Sequence, residues 1–516
     1  MLIAMATSVP VVAQSVQLSV DISKPGAKIS RNLFGQFAEH LGNGVYGGIW
    51  VGPDSTIPNT RGIRNDVVTA LKELKVPDVR WPGGCFAGEY HWRDGIGPHR
   101  VITLNPNWGG VIEPNTFGTR EFMDFLNQIG AQAYVSINVG SGTPREAEDW
   151  FEYMTAAKPT TLVQERAANG HPRPYQVGFL GIGNESWGCG GDMTPNYYLS
   201  QLKIYSHFVR NFNPAEQGNQ QMLKIAVGPG GGGSQWDKWT ETIMKAYQDG
   251  SLSGGINGLS LHSYTVGGAW PPSHASVGFG QNEYAQILKD TLRMNDLIDE
   301  HSAIMDKYDP QKKVALVVDE WGAWYKPLHG TNPAFLVQQN SLRDAVLAAL
   351  NLNIFARHAD RVRMANIAQM INVLQCMIMT DKDKMVLTPT YYVFKMYVPF
   401  HDATFVPVTY DAGTYKQGDI ALPRVDAIAA KDAAGKLWLE ITNIDPDRPV
   451  DIEIRVAGST AKFAVGQTLT APKVDSVNTF DAPNTVVPRS ISAKAENGKL
   501  ALKLQPKSVT VISVGS

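Results

Sequence analysis

The sequence predicts an α/β protein: a (β/α)8 TIM barrel followed by an all-β sandwich of jelly-roll type. Eight short apolar runs recur between residues 33 and 372, each ending in polar or glycine-rich residues. Stretches with apolar residues at helical spacing separate them. Beyond residue 398 the pattern changes to period-2 alternation, broken by turn residues every ~8 to 12 positions. Strands apolar on both faces that alternate with helices imply a parallel sheet covered by helices, and eight of them fit a closed barrel better than an open doubly wound sheet.

Taken in order, MLIAMATSVPVVAQS (1–15) carries an apolar run too short to cross a bilayer and reaches V-V-A, the small-residue pattern of a signal-peptidase site. This predicts a leader over residues 1–13 and an exported protein, periplasmic or secreted. The missing positive n-region leaves an ordinary apolar first strand as the alternative. The next segment, 14–30, contains the alternating stretch VQLSVDIS, expected to pair into the C-terminal sandwich and tie the chain ends together.

The barrel is expected over 31–397. Its strands are read from LFGQFAEH (33–40), DVRWPGG (78–84), AQAYVSINVG (131–140), FLGIGNES (179–186), LKIAVGPG (223–230), GLSLHSYT (258–265), VALVVDEWG (314–322) and ANIAQMIN (365–372). Between the last two, NPAFLVQQNSLRDAVLAALNLNIFARHA has helical periodicity and is expected to start at its Asn-Pro; TPTYYVFKMY is the helix after the eighth strand. GPGGGGS (228–234) lacks the Lys-Ser/Thr of a phosphate loop and reads as a tight strand-to-helix turn. Residues 398–516 form the sandwich.

Composition narrows the function. A net charge of -2, with 18% charged residues, supports neither nucleic acid nor an anionic membrane as partner. Twelve Trp, 18 Tyr and 18 Phe beside 49 Gly suit flat, uncharged, ring-shaped ligands. Three cysteines, Cys85, Cys189 and Cys376, lack metal-ligand spacing, and no nucleotide motif is visible, so neither metal nor cofactor is expected.

In a parallel barrel the strand C-termini gather at one mouth. The runs deliver there Glu39, Arg80, Asn138, Asn184 with Glu185, a glycine run, His262 with Tyr264, Glu320 and Gln369. Glu185 ends the fourth run and Glu320 the seventh, so two acids remote in sequence face each other. A carboxylate after VALVVD, where burial is costly, needs a partner or a task. Hydrolysis of a glycosidic bond uses such a pair: one acid protonated to give the leaving oxygen its proton, the other ionised to attack the anomeric carbon or activate water. Asn184 can donate to the sugar hydroxyl beside the reacting carbon. His262 reads either as a site residue or as a satisfied core histidine. Trp187, Trp321 and Trp324 are candidate walls.

GQFAEHLGNGVYGGIW, RWPGGCFAGEYHWRDGIGP, GIGNESWGCGG, LHSY and AQMINVLQ together resemble family 51 glycoside hydrolases, the α-L-arabinofuranosidases, along nearly the whole chain. The resemblance implies a retaining exo-enzyme that removes terminal α-L-arabinofuranosyl groups from arabinoxylan, arabinan or their oligosaccharides. It implies Glu185 as acid/base and Glu320 as nucleophile, with Glu39, Asn184, Tyr264 and Gln369 on the sugar hydroxyls, and assembly as trimer or hexamer. One departure is Cys85, where many relatives carry Asn, a better hydrogen-bonding partner for the sugar. Cys85 and Cys189 follow strand ends at the same mouth. Two small buried thiols are the plainer expectation and a disulfide stiffening the site the alternative. Rival functions are an endo-acting glucanase or xylanase using the same acids, and a carbohydrate-binding protein that lost catalysis.

Overall fold

Each of the eight apolar runs meets a barrel strand in the computed structural model, which describes residues 15–213, 215, 221–458, 461–496 and 499–515; the eighth strand starts three residues before its run, at Val362, and the seventh ends one residue past its run, at Ala323. The leader expected over 1–13 lies outside the described residues. After β1 (Val16–Asp21) come β2 (Gly35–Phe37), β3 (Asp78–Trp81), β4 (Gln132–Ile137), β5 (Phe179–Ile182), β6 (Leu223–Ala226), β7 (Gly258–Thr265), β8 (Ala315–Ala323) and β9 (Val362–Ile367). Strands β2 to β9 close into a barrel in chain order, every neighbouring pair parallel. β8 is buried at all nine positions, as expected of a strand packed on both faces.

Local chemistry sets the helix starts. Thr143, Thr194 and Thr388 each precede a proline, and each hydroxyl accepts the backbone N–H three residues on, opening α3 (Pro144–Thr155), α5 (Pro195–Phe208) and α9 (Pro389–Tyr397). The helix expected at Asn332-Pro333 starts later. Those residues make only a 3-10 turn, Pro333–Phe335, after which Leu336 turns left-handed at φ 50°. α8 (Leu342–Arg357) begins where Asp344 accepts from the Ser341 backbone N–H. The better cap wins over the proline signal. α8 is buried on all sides from Leu342 to Ala356 because it lies between the barrel and the C-terminal sheets. The glycine run 228–233 is the turn from β6 into α6 (Ser234–Gln248).

The C-terminal domain is built on two large sheets, with a two-stranded antiparallel hairpin of Thr414–Gln417 and Ile420–Pro423 beside them. One contains β10 (Thr404–Val406), β12 (Val425–Lys431), β13 (Leu437–Asn443), β15 (Phe463–Leu469), β16 (Arg489–Lys494) and β18 (Ser508–Gly515). The other contains β11 (Val408–Thr409), β14 (Val450–Ala457), β17 (Leu500–Leu504) and β1, which runs parallel to β14 and antiparallel to β11. Leu18 and Val20 thereby join Leu439, Ile441, Ile452 and Ile512 in one core. No helix among the described residues is long and apolar enough to cross a membrane.

Candidate active site

The turn after β5 is what GIGNESWGCGG encodes. Gly183 and Glu185 both have positive φ, 93° and 39°, and the Glu185 carbonyl accepts from the backbone N–H groups of Gly188 and Gly190. A Cβ at Gly190 would sit 1.8 Å from the Asn184 carbonyl oxygen, so only glycine fits. This hairpin-tight loop turns the Glu185 side chain back over the barrel mouth.

Across the mouth, β7 and β8 run in register with His262 opposite Glu320. His262 Nδ1 lies 2.9 Å from Glu185 Oε1 and 3.5 Å from Glu320 Oε2. One donor atom from each of the three side chains lies within 4.8 Å of the others. Glu320 is 5% exposed and both of its oxygens accept hydrogen bonds, from Arg80 Nη1 at 2.7 Å and from the Tyr264 hydroxyl at 2.8 Å.

Behind this pair stands a charge network. Arg80 on β3 also donates to Asn184 Oδ1 at 2.5 Å and lies beside Asp319, 3.6 Å away. Asp319 in turn accepts from the Tyr134 hydroxyl and faces His262 Nε2 at 3.2 Å. Burial alone would lower the His262 pKa, but Glu320, Asp319 and Glu185 outweigh it and push it up to about 10. An imidazolium so favoured carries an N–H on each nitrogen, with Nδ1 hydrogen-bonded to Glu185 and Nε2 in ion-pair range of Asp319. Asp319 is held below the usual carboxylate range despite its burial, chiefly by Arg80 and His262. Glu185 is raised: burial and the Glu320 charge oppose its ionised form more than the His262 hydrogen bond favours it. The mouth thus holds carboxyl groups pushed in opposite directions within a few ångströms.

Glu39 sits at the floor, 2% exposed, accepting from the Phe86 backbone N–H, Trp108 Nε1 and Gln369 Nε2 at 2.9 to 3.0 Å. Burial, then the Glu320 charge, raises it to about 7. Neither neighbouring cation pairs with it: Arg80 binds Glu320, and His40 binds Glu113. Asn138 stands apart from the pair, its side-chain Oδ1 accepting from the backbone N–H groups of Ser141 and Gly142 to close a turn.

A cavity of about 510 Å³ opens above the carboxylates, lined by Glu185, His262, Tyr264, Trp187, Trp270 and Trp324 among others. A larger hollow, about 730 Å³, lies near the starts of β4, β5 and β6, by Gln132, Phe179 and Leu223, and contains none of these acids. Trp321, expected as a wall, is fully buried against Phe355 and Phe394 and belongs to the core. Cys85 and Cys189 form a disulfide with Cα atoms 5.5 Å apart, so the expectation of two free thiols is corrected. A bridged sulfur has no proton to donate, and Cys85 offers the sugar at most a weak acceptor.

Sequence reasoning placed Arg80 at the mouth without its role as the hub and missed three other contributors. Asp319, the partner of Arg80, had a signal, a charged residue inside a buried run. Trp108 and Trp270 come from loops without periodicity and had none.

Two family models match, "Alpha-L-arabinofuranosidase 1 domain" over residues 70–249 and "Alpha-L-arabinofuranosidase C-terminal domain" over 319–508. A relative from Bacteroides ovatus, named an intracellular exo-alpha-L-arabinofuranosidase, is 44% identical across 99% of this chain and 98% of its own. That relative's name, intracellular, contradicts the expectation of export. The crystal structure of a GH51 arabinofuranosidase from Xanthomonas axonopodis pv. citri superposes with a TM-score of 0.93 at 50% identity, covering 97% of this chain and 100% of the other. An arabinose complex of the Thermotoga maritima α-L-arabinofuranosidase superposes at 0.81 with 32% identity, covering 97% and 100%. Agreement of this extent runs through barrel and sandwich alike, and the chain is a glycoside hydrolase belonging to the family 51 α-L-arabinofuranosidases.

Proposed function

We propose that Glu320 is the nucleophile and Glu185 the acid/base of a double displacement that removes terminal, non-reducing α-L-arabinofuranosyl groups. The observation that carries this reading is the approach of the two carboxylates, oxygen to oxygen within 4.8 Å. Retaining enzymes hold their acids about 5 to 5.5 Å apart, whereas an inverting pair needs room for a water between them.

The surroundings assign the roles. Glu185, raised and facing the tryptophan-lined cavity, delivers its proton to the departing oxygen. Glu320, its oxygens held by Arg80 and Tyr264, attacks the anomeric carbon and forms the glycosyl ester. Glu185, now ionised, takes a proton from water, which breaks the ester and releases arabinose with its configuration kept. Asn184 has its amide oxygen occupied by Arg80, so its NH2, held only by a long contact of 3.9 Å to Cys189 Sγ, is the group that donates to a sugar hydroxyl. Glu39 and Gln369 hold further hydroxyls from the floor, and His262 and Tyr264 position the two acids. Cys85 contributes a wall.

Given the intracellular name of the Bacteroides relative, short arabinose-bearing oligosaccharides derived from arabinoxylan or arabinan are the favoured substrates. A metagenomic glucanase-xylanase shares the fold at 15% identity, which carries no inference about substrate. The test is the anomeric form of the first product released from an aryl α-L-arabinofuranoside, followed by NMR before mutarotation. Retention is expected; inversion, or cutting of internal β-1,4 chains in place of arabinose release, would refute the reading. By the family resemblance we also expect a trimer or hexamer; light scattering giving the 56.4 kDa monomer mass would refute that.

A further inference from the structure

We propose that Cys85 and Cys189 form a reductant-gated metal site, closed while bridged and opened by a dithiol to a soft divalent cation such as Zn2+, with Glu185 as third ligand. The bridge joins the loops after β3 and β5, 104 residues apart in sequence, and lines the substrate cavity beside Glu185. Cys189 is exposed and Cys85 half-buried, so a reductant and a cation reach them by the path the sugar takes.

The donor set is in place. Cys189 Sγ lies 3.5 Å from Glu185 Oε2, and one donor atom from each of Cys85, Cys189 and Glu185 lies within 4.8 Å of the others. Tetrahedral zinc, with bonds of about 2.3 Å to sulfur and 2.0 Å to oxygen, places its ligands ~3.3 to 3.8 Å apart. The Cys189–Glu185 distance already fits, and the two sulfurs must separate, which breaking their bond allows. Thiolates select zinc over the hard cations that carboxylates alone would take, and the fourth position opens on the cavity. Asp319 and Glu320 balance the positive charge of the His262 that binds Glu185. Cys376, the free cysteine of the described residues, is buried and its thiol is pushed up to about 12, so it does not compete.

The chemistry balances. A dithiol transfers two electrons and two protons, the S–S bond breaks, thiols form at Cys85 and Cys189, and the reductant leaves as its cyclic disulfide. Metal binding then releases both thiol protons and the proton that Glu185 holds. A Glu185 carboxylate committed to zinc can neither give nor take a proton, so turnover stops. That last consequence rests on the role proposed for Glu185; the metal site itself does not.

The experiment compares oxidised and reduced protein, the thiols counted by mass spectrometry, in zinc retained after gel filtration, in the thiolate charge-transfer band with Co2+, and in turnover. Reduction is expected to raise zinc affinity at least ~100-fold, to one ion per chain, and Cys189→Ser to return it to the oxidised level. Bound zinc should lower turnover at least ~100-fold, reversibly with a chelator. Equal zinc binding in both states, undiminished binding in Cys189→Ser, or a bridge that resists reduction in the native protein would overturn the site. A thiolate band with undiminished turnover would keep the site and defeat the acid/base role of Glu185.

Discussion

Two clusters of buried carboxylates among the described residues differ in what they face. At the barrel mouth, Glu185, Glu320, Asp319 and Glu39 surround Arg80 and His262 below an open cavity. Between α8 and the sandwich, Asp426 and Glu440 share Asn353, with Arg357 and Tyr410 on Asp426. Both clusters contain a carboxyl group raised by burial and an arginine. The second meets solvent along the partly exposed Arg357, and its carboxyl groups bind side chains of α8 and the sandwich, so it ties the two together. The first presents Glu185 to a cavity with space for a ligand. Burial of charge is shared by both, and the cavity, beside carboxyl groups pushed in opposite directions, distinguishes the mouth.

Removing one acid from each cluster is the sharpest contrast. Glu320→Ala should lower kcat by ~10⁴-fold or more while the protein stays folded. Asp426→Ala should leave kcat/KM near the wild-type value but strip Arg357 and Asn353 of an acceptor, destabilising by about 3 kcal/mol. If Asp426→Ala abolished turnover in a folded protein, the division into site and scaffold would be wrong.

The next effect separates the two acids of the mouth. Glu185→Ala should slow poor leaving groups by about 10² to 10⁴-fold and good ones far less, because only the former need the proton. Azide should then restore turnover and give an arabinosyl azide of unchanged configuration. An inverted azide product would exchange the roles of Glu185 and Glu320.

A smaller effect follows from the raised Glu185. A general acid works while it holds its proton, so kcat/KM falls on the alkaline side as Glu185 ionises. That limb should lie above the ordinary glutamic acid value of 4.5. Asp319→Asn removes one anion beside His262, weakens its positive charge and with it the hydrogen bond favouring ionised Glu185, and should move the limb further up. A limb that stays in place would mean the His262 charge is not set by Asp319.

These contrasts also mark what the letters could tell. The eight strands were readable because a parallel barrel buries both faces of each strand, so FLGI and ALVV appear as unbroken apolar runs. Glu185 and Glu320 were readable because a charge directly after such a run must be explained. The partner of Glu39 was not, since Trp108 reaches it from a loop of no regular pattern. Nor was the state of the cysteines: a bridge depends on a Cα separation that no spacing in sequence fixes. Asp319 was visible as a charge inside a buried run, but its partners were not: an irregularity in β8 between Val318 and Trp321 lets Asp319 and its neighbour Glu320 both reach Arg80 and His262.

The smallest expected effect lies in the scaffold cluster. Glu440 is fully buried, accepting from Thr442 and Asn353, and burial raises its carboxyl to about 8, with Asp426 adding to the shift and Thr442, Asn353 and Arg357 opposing it. An unfolded glutamic acid loses its proton near 4.5, so between there and about 8 the native state holds a proton that the unfolded chain has lost. This contribution is complete below pH 4.5 and is lost as pH rises through that window. Glu440→Gln cannot titrate and should remove the slope: relative to the variant, the wild type should lose on the order of 1 kcal/mol between pH 5 and 7.5, with kcat/KM unchanged. Urea unfolding across that range measures it. Parallel stability curves would show that Glu440 is ionised in the native state, and the scaffold cluster would then carry, like the mouth, a charge that its packing does not neutralise.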